Sequence, residues 1–209
     1  MDDADGFGPE EVRDATSVSR ETMDRVEAMM AILRDWSKRM NLVSRSQMDC
    51  LWRRHVWDSL ALIPHLGAAR QMLDIGSGSG FPAAPLGCWI AEDGGGGRVT
   101  MVERTGKKAD YLRAVATIAP EVFHVKHCGV EEVRDIRADC VTARAVAPLT
   151  RLIELSRPWL ENGAFGLFHK GRNYESELTE AERHWQLDSE VLPNRANSDG
   201  VILRIALAG

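Results

Sequence analysis

Leu73-Asp74-Ile75-Gly76-Ser77-Gly78-Ser79-Gly80-Phe81-Pro82 is a short apolar run that ends in an acid and then breaks into three alternate glycines. Such a run reads as a buried strand, and the glycines after it permit backbone conformations and a close ligand approach that a Cβ forbids. Working outward, residues 71–75, 98–102, 122–125, 139–143 and 164–168 are apolar runs separated by helix-length segments. That alternation predicts an α/β fold, a mostly parallel Rossmann-like sheet of right-handed βαβ units with helices on both faces. Residues 185–192 and 201–207, joined through Pro193-Asn194 and Ser198-Asp199-Gly200, predict an antiparallel edge hairpin.

Upstream of the glycines the period changes. Met23, Val26, Met30, Leu33 and Met40 recur at helical spacing behind Ser19, which predicts an amphipathic helix over 19–41 with Ser19 as its cap. Ser46 with Asp49 resembles a capping box, and the apolar pattern from Met48 to Leu62 predicts a second helix closed by Pro64. The chain therefore divides into a flexible acidic tail (1–18), a helical cap (19–68) and a sheet-bearing domain (69–209). Gly94 to Gly97 reads as a flexible loop before the second strand.

The 209 residues are 44% hydrophobic, enough for a core, and 27% charged, which excludes a disordered chain. No apolar run approaches the roughly 18 to 20 residues a bilayer requires, so no membrane partner is expected. The start, Met-Asp-Asp-Ala-Asp, lacks the basic and apolar stretches of an export signal, which predicts a cytoplasmic protein. Cys50, Cys88, Cys128 and Cys140 lack C-x-x-C spacing, so no metal is expected and the thiols read as reduced and mostly buried. The net charge of −5 resides entirely in residues 1–14, where six acids face Arg13 alone. The rest is neutral, with a local +4 over residues 34–54, including Arg53 and Arg54, and +3 over 98–113, including Lys107 and Lys108. Two basic stretches of that kind are candidate RNA contacts, although solvated helix faces look the same.

The glycine spacing is G-x-G-x-G preceded by D-x, not the G-x-G-x-x-G of a dinucleotide fold, and Pro82 and Pro85 interrupt the following helix. Asp74 would repel a pyrophosphate but would receive the cationic amino group of an amino-acid-like ligand, directly or through water. S-adenosylmethionine fits, with Gly78 facing it and Glu103, at the end of the next strand, accepting both ribose hydroxyls. A nicotinamide-dependent oxidoreductase fails on the spacing. After the fourth strand, Thr142-Ala143-Arg144-Ala145-Val146-Ala147-Pro148 has neither the Asn-Pro-Pro-Tyr type cluster of an exocyclic-amine methylase nor a cysteine nucleophile. Arg144 offers a planar cation that can grip a phosphate, stack on a base, or pair structurally with a carboxylate. Lys170, at the end of the fifth strand, is read as a further RNA contact. His55 and Asp58, three apart on a helix, read as a structural hydrogen bond pinning the cap to the sheet.

Taken together, Asp74-Ile-Gly-Ser-Gly-Ser-Gly-Phe-Pro, Thr-Gly-Lys107-Lys108 with Tyr-Leu-Arg113, Thr142-Ala-Arg144-Ala-Val-Ala-Pro-Leu, Asn41-Leu-Val-Ser and Arg54-His55-Val-Trp-Asp58-Ser-Leu resemble the RsmG (GidB) family over about residues 20–207. The resemblance implies a class I S-adenosylmethionine-dependent methyltransferase fold under a helical cap, acting on N7 of a guanine in 16S rRNA or an assembling small ribosomal subunit. It also implies that Gly76 and Phe81 line the cofactor, that Val130 and Glu131 meet its adenine, and that Arg144 lies beside the methyl-transfer site. Ala83-Ala84 departs from the family's usual Gly-Ile, the 92–97 loop is longer than usual, and residues 1–14 have no clear counterpart. Guanine N7 is an unprotonated lone pair, so no general base is expected. A methyltransferase with another substrate, or a methyltransferase-like RNA-binding assembly factor without catalysis, are the alternative readings.

Overall fold

The computed structural model describes residues 2–92, 94 and 96–208; of the expected glycine loop, Gly95 lies outside these residues. Helices come first: α1 (Pro9–Thr16), α2 (Arg20–Ser37), α3 (Arg45–Met48), a π-helical turn (Trp52–Trp57), α4 (Asp58–Leu60) and α5 (Ile63–Leu66). Ser19 caps α2 as expected, its Oγ accepting from Thr22 N at 3.0 Å, and Met23, Val26, Met30 and Leu33 form the buried stripe. The second predicted helix is broken instead. Its cap is Ser44, with Gln47 closing the box, rather than Ser46 with Asp49. Pro64 lies in the first turn of α5 rather than after a helix end, where its missing N–H costs nothing.

Residues 2–18, expected as a flexible tail, carry α1 and are fastened to the cap. Asp3, 6% exposed, accepts from Trp52 N at 2.9 Å and Arg53 N at 2.8 Å, so its carboxylate satisfies the open N–H groups of the π-helical turn. Phe7 stacks on Trp57 with ring centroids 5.2 Å apart, and Val12 and Val18 are buried. The acid count suggested a solvated tail; three apolar residues among the acids decide the packing.

The sheet follows as β1 (Gln71–Ile75), α6 (Ala83–Ile90), β2 (Arg98–Val102), α7 (Gly106–Ala116), β3 (Phe123–Lys126), a 3-10 turn (Val130–Glu132), β4 (Cys140–Arg144), α8 (Leu149–Leu160), β5 (Phe165–Lys170), α9 (Tyr174–Glu182), β6 (Leu187–Pro193) and β7 (Val201–Leu207). Its order is β3-β2-β1-β4-β5-β7-β6, with β1 to β5 parallel and the β6–β7 hairpin antiparallel at the edge. The direction of winding reverses between β1 and β4, the crevice where open α/β sheets bind ligands.

Strand parity sorts the core into two layers. Leu73, Ile75, Val141 and Ala143 join the layer covered by α8 and α9. Met72, Val99, Met101 and Cys140 join the other, which they share with Met29, Met30 and Leu33 of α2 and with Leu86 of α6. By the same alternation Asp74, Thr142 and Arg144 point to the face that the cap covers. Among the described residues no helix is long and apolar enough to cross a membrane.

Candidate functional site

The loop after β1 is shaped by its glycines. Gly78, at φ +52°, occupies the left-handed region, and a Cβ there would meet nothing closer than Gly76 O at 3.6 Å, so the loop leaves open space above it. Gly76, at φ +66°, has no such room, because a Cβ would stand 3.0 Å from Val146. Tyr111 of α7 fixes the loop from below, its hydroxyl donating to Ser79 O at 3.0 Å.

Asp74 lies under this loop, 1% exposed. Thr142, its registered neighbour on β4, donates to Oδ1 at 2.7 Å, while Oδ2 is buried without a partner. Burial pushes its carboxyl up to about 6, against the lowering by the Ser77 and Thr142 hydroxyls, and the Glu103 charge adds to the rise. Glu103, at the end of β2, accepts from Gly78 N at 3.0 Å and Thr105 N at 2.7 Å, so each carboxylate oxygen has one donor and retains capacity for another. Val130 belongs to the same buried apolar layer as Ile75 and Val102, the ends of β1 and β2. Glu131 is exposed and ion-paired with Arg151 at 2.7 Å. Phe81 is buried, its ring 4.9 Å from that of His55.

Arg144 ends β4, its side chain 20% exposed, and faces the cap. Its Nη1 lies 2.9 Å from Asp58 Oδ2, in ion-pair contact without hydrogen-bond alignment, and its Nη2 donates to Arg54 O at 2.8 Å. The loop that follows is held from the other side. Lys170 donates to Ala147 O at 2.8 Å and to Glu177 at 2.6 Å, and Glu177 also accepts from Leu149 N at 2.7 Å. Ala145, between these clamps, adopts φ +54°, a conformation that a residue with a Cβ keeps only when its surroundings impose it.

Several expectations change here. Lys170 is not an open cation; its side chain is 7% exposed and committed to Glu177. Arg53 pairs with Asp5 at 3.0 Å and lies 4.0 Å over the Phe7 ring, with its side chain still 40% exposed, so the acidic segment is its neighbour without covering it. The expected His55–Asp58 hydrogen bond is absent: both ring nitrogens of His55 are buried without partners, and burial, reinforced by Arg144, pushes its pKa down to about 3. Asp58 does join cap to sheet, through Arg144, His169 and Asn194. Arg54 and Lys107 are exposed and Lys108 half-buried; Arg54 adjoins Arg144 through its carbonyl, and the two lysines open α7 just past Glu103. Thr142, Tyr111, Glu177, His169 and Asn194 escaped the sequence reading. Strand parity, which turns Thr142 and His169 toward the cap, was the available signal for two of them.

Cys88 and Cys140 are buried and Cys50 and Cys128 half-buried, all as free thiols. No group of three or more metal-capable side chains occurs among the described residues. A cavity of about 1200 Å³ runs from Ala69, Asp139, Phe165 and Arg204 to Val130 and Glu131, which also line it; none of the glycines of the loop after β1 does. A smaller one of about 380 Å³ lies beside Arg144, lined by Val146, Pro148, His169 and Lys170.

A family model described as rRNA small subunit methyltransferase G matches residues 22–199. A protein named ribosomal RNA small subunit methyltransferase G from Rhodopseudomonas palustris (strain BisB5) is 44% identical over 193 residues, which cover 91% of this chain and 82% of the relative. Its namesake from Hyphomonas neptunium (strain ATCC 15444) is 41% identical over 191 residues, covering 91% and 90%. In fold, the chain is similar to magnesium protoporphyrin IX methyltransferase from Synechocystis PCC 6803, solved with bound S-adenosylmethionine (TM-score 0.60, 13% identity, 88% of this chain and 97% of the other).

Proposed function

Because the chain belongs to the rRNA small subunit methyltransferase G family, we propose that it transfers a methyl group from S-adenosylmethionine to N7 of a guanine in 16S rRNA, in the cytoplasm. For this reading the helical cap comprises residues 19–68 and the methyltransferase domain residues 69–209. The observation that carries the cofactor assignment is the unpartnered Oδ2 of Asp74. A buried carboxylate oxygen with no donor is costly, and a cationic amino group above the open Gly78 turn, reached directly or through water, relieves that cost. Gly76 and Phe81 line the site in this reading, Glu103 receives ribose hydroxyls, and Val130 and Glu131 face the adenine.

The cofactor supplies a methyl group on a sulfonium centre when bound. The chain's own contribution is placement. Guanine N7 carries no proton, so the residues around it need only hold the base in line, which can lower the barrier by ~7 to 11 kcal/mol. Arg144 supplies a planar, permanently charged group at the end of β4 for that purpose, and Arg54, Lys107 and Lys108 contact RNA phosphates on either side. Arg53 joins them once Asp5 is displaced.

Two measurements test this reading. Purified protein, incubated with radiolabelled S-adenosylmethionine and small ribosomal subunits from cells lacking the gene, is expected to label one guanine of 16S rRNA at N7. Transfer to protein or small molecules alone would refute the substrate assignment. Calorimetry is expected to show binding of S-adenosylmethionine and not of NAD, and the reverse would refute the cofactor.

A further inference from the structure

Asp58 belongs to the cap, and its side chain is 4% exposed. Its two oxygens are divided. Oδ1 accepts from Asn194 Nδ2 at 2.5 Å, at the end of the edge hairpin, whereas Oδ2 faces Arg144 Nη1 at 2.9 Å. His169 Nε2 lies 3.0 Å from the Asp58 carbonyl and 3.5 Å from Oδ2, and burial lowers its pKa, so the neutral ring braces Asp58 and leaves the carboxylate charge to Arg144. The second terminal nitrogen of Arg144 is held by the carbonyl of Arg54, also in the cap. Both ends of the guanidinium fork are thus oriented by cap residues, although the arginine stands on the sheet.

We propose that Asp58 is a positioning residue for methyl transfer: braced by Asn194 and His169, it fixes the plane of the Arg144 guanidinium at the substrate edge. The inference rests on the methyltransferase reading above. A guanidinium confined at two nitrogens retains its Nε and outward hydrogens for a nucleotide, and one freed of its counter-charge swings among rotamers and meets the base in many poses. The cap then has a role in turnover besides covering apolar surface.

The test measures single-turnover methylation of small subunits, cofactor binding and melting for Asp58→Asn, Arg144→Met and the double variant. Asp58→Asn is expected to lower the rate by about a hundredfold, the cost of roughly an ångström of misplacement, with cofactor affinity unchanged. The double variant is expected to be no slower than Arg144→Met, since with the cation removed a group acting through the arginine has nothing left to act upon. Proton exchange at Arg144 Nε, followed by NMR at a temperature where both proteins are folded, is expected to accelerate in Asp58→Asn. A wild-type rate in Asp58→Asn, single-variant losses that multiply in the double, or a parallel fall in cofactor affinity overturns the inference. Should Asp58→Asn not fold, Asp58→Glu replaces it: a slower rate at full cofactor affinity supports the inference, and an unchanged rate overturns it. An inactive wild-type protein would instead sink the methyltransferase reading itself.

Discussion

Lys170→Met separates the two roles that this lysine has been given. Its side chain is 7% exposed and that of its partner Glu177 29%, so the pair is largely but not wholly removed from water. Breaking a fully buried pair costs about 3 to 5 kcal/mol because a charge is left stranded. Here Glu177 keeps Leu149 N as a donor and has some access to water, which reduces that cost, while Ala147 O loses its hydrogen bond from Lys170, worth about 1 kcal/mol. A net loss of about 3 kcal/mol corresponds to a melting temperature lower by roughly 6 to 12 °C for a domain of this size. Lys170→Met/Glu177→Leu, which removes both charges together, is expected to recover the stranded-charge part of the loss and to retain a deficit of about 2 kcal/mol, about half from the lost α8 cap and half from the unpaired Ala147 O. Calorimetry or near-ultraviolet circular dichroism gives the melting temperatures, and fluorescence anisotropy against salt gives the RNA affinity. An unchanged melting temperature, with a log affinity versus log salt slope shallower by roughly 0.7, would show that Lys170 contacts phosphate and that the buried pairing is wrong.

Gly78→Val forces a branched side chain into the left-handed region, at a strain of about 1 to 3 kcal/mol, and fills the space above the turn; S-adenosylmethionine binding is expected to vanish in calorimetry while the sheet still melts cooperatively. Asp74 has a folded pKa of about 6 against 3.8 for the free group, so ionising it disfavours the fold and the ligand-free protein should lose roughly 3 kcal/mol of stability as pH rises from about 4 to about 6. Since the ionised carboxylate is the form that receives a cation, cofactor affinity should weaken as pH falls below about 6, by up to about tenfold per unit; flat calorimetric affinity from pH 5 to 8 would remove Asp74 from the site. With cofactor saturating, single-turnover rates should be level between about pH 6 and 8, because His55, with its pKa near 3, stays neutral throughout; a titration in that range abolished by His55→Ala would reinstate a general base. Deleting residues 2–14 removes buried Phe7 and Val12, each worth about 1.5 to 3 kcal/mol, so the protein should melt at lower temperature while Arg53, released from Asp5, strengthens RNA binding at low salt.

What the sequence displayed and what it hid follow one division. Strand positions and the glycine loop were legible because they depend on local periodicity: residues 71–75, 98–102 and 201–207 are strands over the predicted spans, and the other predicted strands shift by one or two residues. Asp74 and Glu103 could be placed for the same reason, each ending a strand beside the glycines. Pairings between distant side chains were not legible. Glu177 is only seven residues from Lys170, but the turn that brings it back from α9 has no periodic signal, and nothing near Arg53 announces Asp5 and Phe7, nearly fifty residues upstream. The predicted helix over 46–62 failed because Asp3, some fifty residues upstream, stabilises a π-helical turn where periodicity suggests a continuous helix.

The network at Asp58 also bears on the order in which the molecule assembles. Its contacts join residues 90, 111 and 136 positions apart in the chain. Loops of that length close late, after local helices and neighbouring strands have formed. Asn194, which takes one of the two carboxylate oxygens, stands within the last two dozen residues, so during synthesis Asp58 and Arg144 are both present long before the brace that orders them. A chain emerging from a ribosome would have the glycine loop, Thr142 and Arg144 in hand before Asn194 arrives to complete this junction.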